Sequence, residues 1–405
     1  MKITAIETIG LKEFPNLLWV QVHTDAGIVG LGETFYGAQA VAGFIHETAS
    51  PYLIGKDPLQ IDKHNRHFLN HYCGFKSIGA EMRGASAVDI ALWDIFGQVT
   101  GQPIWQLLGG KSRDTIRTYN TCAGYRYVRA QPEQLVTNWG LPAKRQKKKP
   151  YEDLDGFLND AGALAESLLS EGYQGMKIWP FDPYAEASNG THISTADLKK
   201  ALSPFEKIRK AVGDKIDIHV EFHSLWNLPM AIRLAKALEQ FEPYWYEDPL
   251  KMDNLDALAD YAHRTRVWVT ASETLGTRWA FRELFEKQAV SVAMLDIGWT
   301  GGITEAKKIA TMAEAYHLPI APHDCTGPVN VFACLHLCAS APNTQFMESV
   351  RAFYRGYYAD IVEPNIEVRD GHISFPTTPG LGTRLRPEVR ERSDASVQVS
   401  VLEAG

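Results

Sequence analysis

The sequence lacks the features that mark several special classes of protein. It has no run of about eighteen apolar residues, so we expect no transmembrane helix. Its N-terminus, MKITAIETIGLKEF, alternates like a strand and lacks the apolar segment of a secretory signal, so we expect a cytoplasmic protein. The net charge of −7 gives no reason to expect nucleic acid or an anionic membrane as a partner.

Cysteine is scarce and irregularly placed, which argues against two further classes of protein. The five cysteines are odd in number and contain no CxxC pair, so their spacing predicts neither a zinc site nor a disulfide framework. Reduced thiols are therefore expected, including Cys325, which we interpret as a bystander although it lies two residues after a histidine. The cysteines are Cys73, Cys122, Cys325, Cys334 and Cys338.

Between Ile216 and Ser349, one apolar run after another ends in an acidic or imidazole residue. The spacing is 23 to 27 positions, about the length that a strand, a helix and two short loops need. Strands that alternate with helical patterns, such as Met230–Phe241 and Ile303–Tyr316, predict a parallel sheet. Polar chemistry at the end of each strand favours a closed β/α barrel, whose active site lies at that end. The residues are Glu221, Glu247, Glu273, Asp296, His323 and Glu348.

The first part of the chain has a different pattern. Period-two runs over Ile3–Leu11, Leu17–Thr24 and Val29–Glu33 predict an antiparallel meander. Helical patterns follow and predict an α+β unit over residues 1–112. These patterns cover Ala38–Ala49, Pro58–Tyr72 and Ala85–Thr100, the last of which stops at Gly101.

The start of the barrel contains two irregular segments. Ile116–Ala123 and Gly175–Trp179 are the expected first and second strands, with a helical pattern at Asp160–Ser170 between them. The basic run Lys144–Lys149 favours a solvated loop over an anion-binding lid. The Gly-, Asn-, Pro- and Ser-rich insertion Phe181–Thr195 is expected to lengthen the second barrel loop and narrow the site. The polar tail after residue 386 is expected to be frayed or packed on a neighbouring subunit.

These segments together resemble the enolase superfamily, specifically the mandelate racemase subgroup of its mandelate racemase/muconate lactonizing enzyme family. The resemblance rests on the helix and loop Ser86–Gly110, the strand-end residues, Gly298–Tyr316 and the PGLG segment Pro379–Gly382. It implies an α/β fold, a modified TIM (β/α) barrel over residues 113–360 with an N-terminal α+β capping domain over residues 1–112. A C-terminal tail from about residue 360 would pack back on that capping domain.

By this resemblance, Glu221, Glu247 and Glu273 are the ligands of Mg²⁺. Enzymes of the superfamily remove a hydrogen beside a carboxylate, which builds a second negative charge next to the first. A divalent cation offsets that charge, and Mg²⁺ prefers hard oxygen ligands such as carboxylates. The alternative is three surface glutamates that happen to lie at strand ends.

The resemblance assigns His323 and Asp296 to the family's His–Asp dyad, in which His323 takes the proton from C2. Lys177 matches the first lysine of the Lys-x-Lys motif that racemases carry, and would neutralise the substrate carboxylate. Trp179 occupies the place of the second lysine, so two-base racemisation lacks a base, and Trp179 becomes a candidate substrate contact.

His223 lies two residues after Glu221, so both side chains should face the barrel mouth. Galactonate dehydratase is similar here, with a histidine that acts as general acid, although His223 could bind substrate without proton transfer. Glu348 would hydrogen-bond the substrate carboxylate or form a structural salt bridge. Tyr36 would contact a substrate hydroxyl or pack the lid, and the pocket could also include Tyr125, Arg126 and Trp299.

The resemblance therefore predicts a Mg²⁺-dependent lyase that dehydrates a sugar acid of the aldonate type. It would remove the C2 proton, eliminate the C3 hydroxyl and give a 2-keto-3-deoxy sugar acid. An epimerase, racemase or cycloisomerase using the same chemistry is one alternative, and a non-catalytic scaffold is another. The resemblance also implies a homo-oligomer, either a dimer or an octamer, with a small-molecule substrate and neither nucleic acid nor membrane as partner.

Overall fold

The computed structural model describes residues 1–73, 78–125, 127 and 152–401. The basic run Lys144–Lys149 and the pocket candidate Arg126 lie outside these residues, so their roles stay predictions. Across the described ranges, no helix combines the length and the apolar character that crossing a membrane needs.

The N-terminal part is an antiparallel sheet packed on helices, as its period-two runs predict. The meander consists of β1 (Ile3–Leu11), β2 (Phe14–Thr24) and β3 (Val29–Phe35). The helices are α1 (Ala38–Phe44), α2 (Ser50–Leu53), α3 (Ile61–Cys73), α4 (Ala80–Thr100) and α5 (Ile104–Leu107), with a π-helical turn at Ile45–Ala49. A Cβ at Gly32 would lie 1.9 Å from the carbonyl oxygen of Ala87, so β3 packs directly against the α4 backbone.

Parallel strands close into a ring after this unit. They are β4 (Thr115–Thr121), β5 (Gly175–Ile178), β6 (Asp217–Glu221), β7 (Trp245–Glu247), β8 (Trp268–Ala271), β9 (Val292–Ala293) and β10 (Met347–Ser349). Single parallel bridges from Ala293 to Ile320 and from Ile320 to Thr344 fill the seventh position, and β10 pairs back to β4. The predicted β/α barrel is confirmed.

The helices that follow the strands form the outer layer and bury apolar faces against the barrel. They are α6 (Asp153–Asn159), α7 (Ala161–Ser170), α8 (Asp182–Ser188), α9 (Thr195–Val212), α10 (Leu228–Leu238), α11 (Leu255–Arg264), α12 (Thr277–Glu286), α13 (Ile297–Thr300), α14 (Gly302–Ala315) and α15 (Pro328–Ser340), with a 3₁₀ turn at Glu239–Phe241.

The insertion Phe181–Thr195 differs from the expected long loop, because half of it is helix α8. A proline in the first turn suits a helix start, and Asn189 ends the helix in the left-handed region with φ 52°. Proline and asparagine, which are typical of loops, here mark the two ends of a helix.

The C-terminal residues form short elements and one longer strand. These elements are α16 (Arg351–Tyr354), α17 (Tyr358–Ile361), β11 (Val362–Glu363), β12 (Val368–Arg369), β13 (His372–Ser374), β14 (Arg384–Leu385), α18 (Pro387–Glu391) and β15 (Ala395–Val401). The expectation of a frayed or neighbour-packed tail is wrong, since β15 pairs antiparallel with β1, placing Val397 opposite Ile9. Alternate valines give β15 a strand period that its polar composition obscured.

Candidate active site

Three carboxylates meet at the mouth of the barrel. Glu221 and Glu247 end adjacent strands β6 and β7, and Glu273 follows β8. One oxygen from each lies within 4.8 Å of the others. Oε2 of Glu221 is buried and accepts no hydrogen bond in the described part of the chain, and the ion pair with Nζ of Lys177 at 3.3 Å is its charged contact. A converging set of hard oxygen donors, one of which lacks a hydrogen bond, fits Mg²⁺, as predicted for these residues.

Lys177, on β5, is buried among the carboxylates. Its Nζ lies 2.5 Å from Glu247, 2.8 Å from Glu348 and 3.3 Å from Glu221. Burial by itself would lower the pKa of Lys177, but Glu247 and Glu348 outweigh it and raise the pKa well above its usual range. The lysine therefore stays charged and neutralises part of the cluster, in addition to its predicted role toward a substrate carboxylate.

Glu348, on β10, is held by several donors. Its Oε1 accepts a hydrogen bond from the Thr121 hydroxyl, and its Oε2 accepts one of 2.9 Å from the backbone N–H of Asp324. Burial would raise the pKa of Glu348, but Lys177 and His323 outweigh it and lower the pKa to about 2. Glu348 is thus ionised and salt-bridged, which is the second of the two roles considered for it; contact with a substrate carboxylate stays a prediction.

His323 and Asp296 are brought together as predicted. Nδ1 of His323 donates to Oδ2 of Asp296 at 2.7 Å, and this bond directs Nε2 toward Glu273, 3.0 Å away. Burial would lower the pKa of His323, but Glu273 and Glu348 raise it well above its usual range. Glu273 is also a predicted metal ligand, so a cation held there would weaken this effect.

His223 forms a second pair that the sequence did not suggest. Its Nδ1 donates to Oδ2 of Asp182 at 2.6 Å, and its backbone N–H donates to Oε1 of Glu221 at 2.7 Å. Burial would lower the pKa of His223, but Asp182 and Glu221 outweigh it and raise the pKa to about 9. A protonated imidazole at neutral pH suits a general acid.

A small cavity joins these groups, and its walls are largely aromatic. Trp179 is buried, with its ring 5.7 Å from that of His223, and Tyr36 packs 5.6 Å from the ring of Trp299. The Trp299 ring in turn lies 5.3 Å from that of His323. Tyr36 and Trp179, the two predicted aromatic substrate contacts, therefore both reach the cavity. The cavity is lined by Phe35, Tyr36, Thr121, Tyr127, Lys177, Trp179, His223, Glu273, Trp299, His323 and Cys325.

Sequence reasoning missed Asp182, Thr121 and Tyr127. Asp182 is the second residue of the insertion, and only its place four residues after the end of β5 hinted at the barrel mouth. Thr121 ends β4 and carries the same strand-end signal as the glutamates, but its residue type is neither acidic nor an imidazole. Tyr127 had no signal, because its position depends on the loop that follows β4.

Comparison with known proteins adds family models to this geometry. A model of the mandelate racemase / muconate lactonizing enzyme N-terminal domain matches residues 4–109. A second model, enolase C-terminal domain-like, matches residues 160–389. The two matches cover the sheet-and-helix unit and most of the barrel.

Individual relatives match almost the whole chain. D-xylonate dehydratase of Haloferax volcanii is 29% identical over 388 residues, which are 95% of this chain and 87% of that protein. The crystal structure of an enolase of the mandelate racemase subgroup from Agrobacterium tumefaciens, with a succinimide residue, sodium and phosphate, is 51% identical, covers 99% of both chains and has a TM-score of 0.87. A proposed dehydratase from Zymomonas mobilis ZM4 is 28% identical, covers 99% and 100% of the two chains, and has a TM-score of 0.86.

Proposed function

The chain belongs to the mandelate racemase / muconate lactonizing enzyme family of the enolase superfamily and is a hydro-lyase, and from this premise we propose that it dehydrates an aldonate-type sugar acid with Mg²⁺. One observation carries the proposal: two histidines, each bonded to a buried carboxylate, line one cavity together with Glu273 of the carboxylate cluster. The related D-xylonate dehydratase acts on an aldonate, which supports this substrate class.

The two histidines have separate tasks in this proposal. They follow the third and seventh positions of the barrel, which are opposite each other in a ring of eight. Nε2 of His323 takes the C2 proton, and Nε2 of His223 gives a proton to the departing C3 hydroxyl, since hydroxide is a poor leaving group. The C2–H and C3–O bonds break, water leaves, and the resulting enol tautomerises to the 2-keto-3-deoxy acid.

The remaining residues control charge at the site. Glu221, Glu247 and Glu273 would hold the metal, which when bound supplies positive charge opposite the carboxylate of the substrate. Lys177 offsets the negative charge of Glu247 and Glu348, which keeps the cluster from repelling an anionic substrate. Trp179 stands where a second base would be needed for racemisation, and an indole cannot exchange protons with carbon. This residue favours elimination over racemisation.

A screen of sugar acids with Mg²⁺, detecting 2-keto acids with semicarbazide, tests the proposal. We expect one or two epimers to give product, because a narrow cavity whose polar groups have fixed positions discriminates between epimers. The variant His323→Asn should abolish both product formation and deuterium incorporation at C2. An exposed histidine replaced in the same way, His192→Asn, should leave both unchanged.

One result would reject dehydration, and another would reject the assigned base. One is deuterium incorporation at C2 of recovered substrate without any keto acid, which would identify an epimerase or racemase. The other is product formation by His323→Asn at the rate of the unmodified protein, which would exclude His323 as the base.

A further inference from the structure

Asp182 and His223 form a histidine–carboxylate pair across the barrel from Asp296 and His323. Asp182, the first residue of α8, accepts the 2.6 Å hydrogen bond from Nδ1 of His223 at Oδ2. Asp182 is fully buried, and its Oδ1 has no hydrogen-bond partner within the described ranges. A buried carboxylate is costly without a cation or strong donor facing it, so each member of the pair requires the other.

Aromatic packing places the two residues side by side. Phe181, directly before Asp182, stacks on Phe222 with ring centroids 5.6 Å apart and on Phe205 at 6.0 Å. Phe222 directly precedes His223. The same stack therefore fixes the start of α8 and the end of β6 in one arrangement.

The far end of the α8 segment is pressed against the loop after β6. Gly190 has φ 71°, and a Cβ there would lie 2.0 Å from the carbonyl oxygen of Leu225. The N–H of Asn227 donates to the carbonyl of Gly190 at 3.1 Å. His223 itself has φ 48°, in a region that non-glycine residues adopt only when their surroundings hold them there.

We propose that Asp182 is a positioning residue for the elimination step, which holds Nδ1–H of His223 so that Nε2 faces the departing C3 hydroxyl. This inference rests on the proposed function. Trp179 meets the His223 ring edge to face, with an interplanar angle of 78°, and limits rotation on the cavity side. The proton on Nε2 then passes to the C3 oxygen as the C3–O bond breaks, while the electrons of the C2–H bond form the double bond.

A purely structural role and a positioning role differ in what they change. Loss of structure near β6 would impair both proton abstraction by His323 and elimination. Loss of the His223 orientation would impair elimination and leave exchange of the C2 proton intact. The test therefore measures keto acid formation and C2 deuterium exchange on the same protein, with the sugar acid that the unmodified enzyme dehydrates.

For Asp182→Asn we expect kcat of dehydration to fall about a hundredfold, the typical contribution of a general acid, with KM and C2 exchange changed only a few fold. The kcat of Asp182→Ala should fall further than that of Asp182→Asn. The amide oxygen of asparagine can still accept a hydrogen bond from Nδ1–H of His223, whereas the methyl group of alanine cannot. Glu186 is an exposed carboxylate on the same helix, so Glu186→Gln should behave as the unmodified protein.

A double-mutant cycle separates action through His223 from any other effect. In the His223→Asn background, Asp182→Asn should cause no further loss of dehydration, because the group that it positions is gone. A further loss of tenfold or more would overturn the inference, as would equal losses of exchange and elimination in the single variant.

The inference and the proposed function fail differently. If the unmodified protein forms no keto acid from any sugar acid, the proposed function falls and the role of Asp182 with it. If the unmodified protein forms keto acid and Asp182→Asn forms it equally fast, only the role of Asp182 is rejected.

Discussion

Lys177 shows how single charges decide what the site can bind. One ammonium group faces Glu221, Glu247 and Glu348, so full ionisation of the three carboxylates would leave an excess of negative charge. Burial is the main cause that raises the pKa of Glu247 well above its usual range, and the negative charge of Glu221 raises it further. Carboxylates that resist ionisation in one another's presence gain from a divalent cation, which supplies the missing positive charge.

The residue-scale prediction concerns the metal. Mg²⁺ should raise the melting temperature of the unmodified protein as its concentration increases, because a ligand that binds only the folded state stabilises it. Glu247→Gln should shift this response to Mg²⁺ concentrations at least about tenfold higher, which corresponds to a loss of about 1.4 kcal/mol in binding. Thermal unfolding at a series of Mg²⁺ concentrations measures both.

Glu206→Gln is the matched control for the metal prediction. Glu206 is an exposed carboxylate on α9, so its loss should leave the Mg²⁺ response as it is. An identical response in Glu247→Gln and the unmodified protein would remove Glu247 from the metal ligands.

At the scale of elements, β3 and α15 are joined through one side chain. Glu33, on β3, accepts hydrogen bonds from the N–H groups of Val329 (3.2 Å) and Asn330 (2.9 Å) at the start of α15, and from the Trp19 indole at 2.7 Å. Gly327, which precedes α15, offers no side chain to cap the helix. Glu33 therefore supplies the missing cap from another part of the chain.

The element-scale prediction is a pH dependence that belongs to Glu33. Burial raises the pKa of Glu33 to about 8, above the ordinary value of 4.5. The contribution of Glu33 to the free energy of unfolding is therefore complete below pH 4.5 and is lost as pH rises through 8. Between these values, the free energy of unfolding of the unmodified protein should fall relative to that of Glu33→Gln, by at most about 1.4 kcal/mol per pH unit. Urea unfolding at pH 5, 6, 7 and 8 measures the difference.

In the same experiment, Glu206→Gln should follow the unmodified protein at every pH. If the curves of Glu33→Gln and the unmodified protein run parallel from pH 5 to 8, Glu33 does not change its protonation on unfolding and the prediction is wrong.

At the scale of the whole molecule, His336 connects three distant segments. Its Nδ1 accepts from the backbone N–H of Trp105 on α5 at 3.2 Å, and its Nε2 donates to the carbonyl of Leu381 at 2.9 Å. The histidine itself lies on α15, outside the barrel ring. Because Nδ1 must accept, the neutral ring is required, and burial lowers the pKa of His336 to about 4.

The whole-molecule prediction is a loss of stability in acid. The folded pKa lies below the ordinary value of 6.5, so the contribution of His336 is complete above pH 6.5 and is lost as pH falls through 4. As pH falls through that window, the free energy of unfolding of the unmodified protein should decrease by up to about 1.4 kcal/mol per pH unit relative to that of His336→Gln. Calorimetric unfolding at pH 7.5, 6 and 5 measures it, with exposed His192→Gln as control. If the unmodified protein and His336→Gln lose stability equally in acid, burial of a neutral His336 is not the cause and the prediction is wrong.

Local sequence predicted the elements that repeat. The bounds of β1 agree with the predicted Ile3–Leu11, and α4 ends before Gly101, where φ is 66°. These signals depend on the period of neighbouring side chains and on the conformational freedom of one residue, which are properties of short segments. The sequence also predicted that His323 lies close to Asp296, because consecutive strand ends of a parallel barrel are adjacent.

The remaining features depend on residues far apart in the chain. Asp182 and His223 are separated by a complete helix, Glu33 reaches α15 from the first sheet, and β15 pairs with β1 at the opposite end of the sequence. No local pattern encodes such contacts.

Strand periodicity and the spacing of strand-end residues were sufficient to predict the barrel and to indicate which carboxylates and which histidine–aspartate pair gather at its mouth, since closure of a parallel ring brings strand ends together wherever the loops run. Tertiary packing alone decided the partner of His223, the cap of α15 and the place of the last strand. Each of these satisfies a buried polar group or an open sheet edge, and what is near enough to satisfy it exists only once the chain has folded.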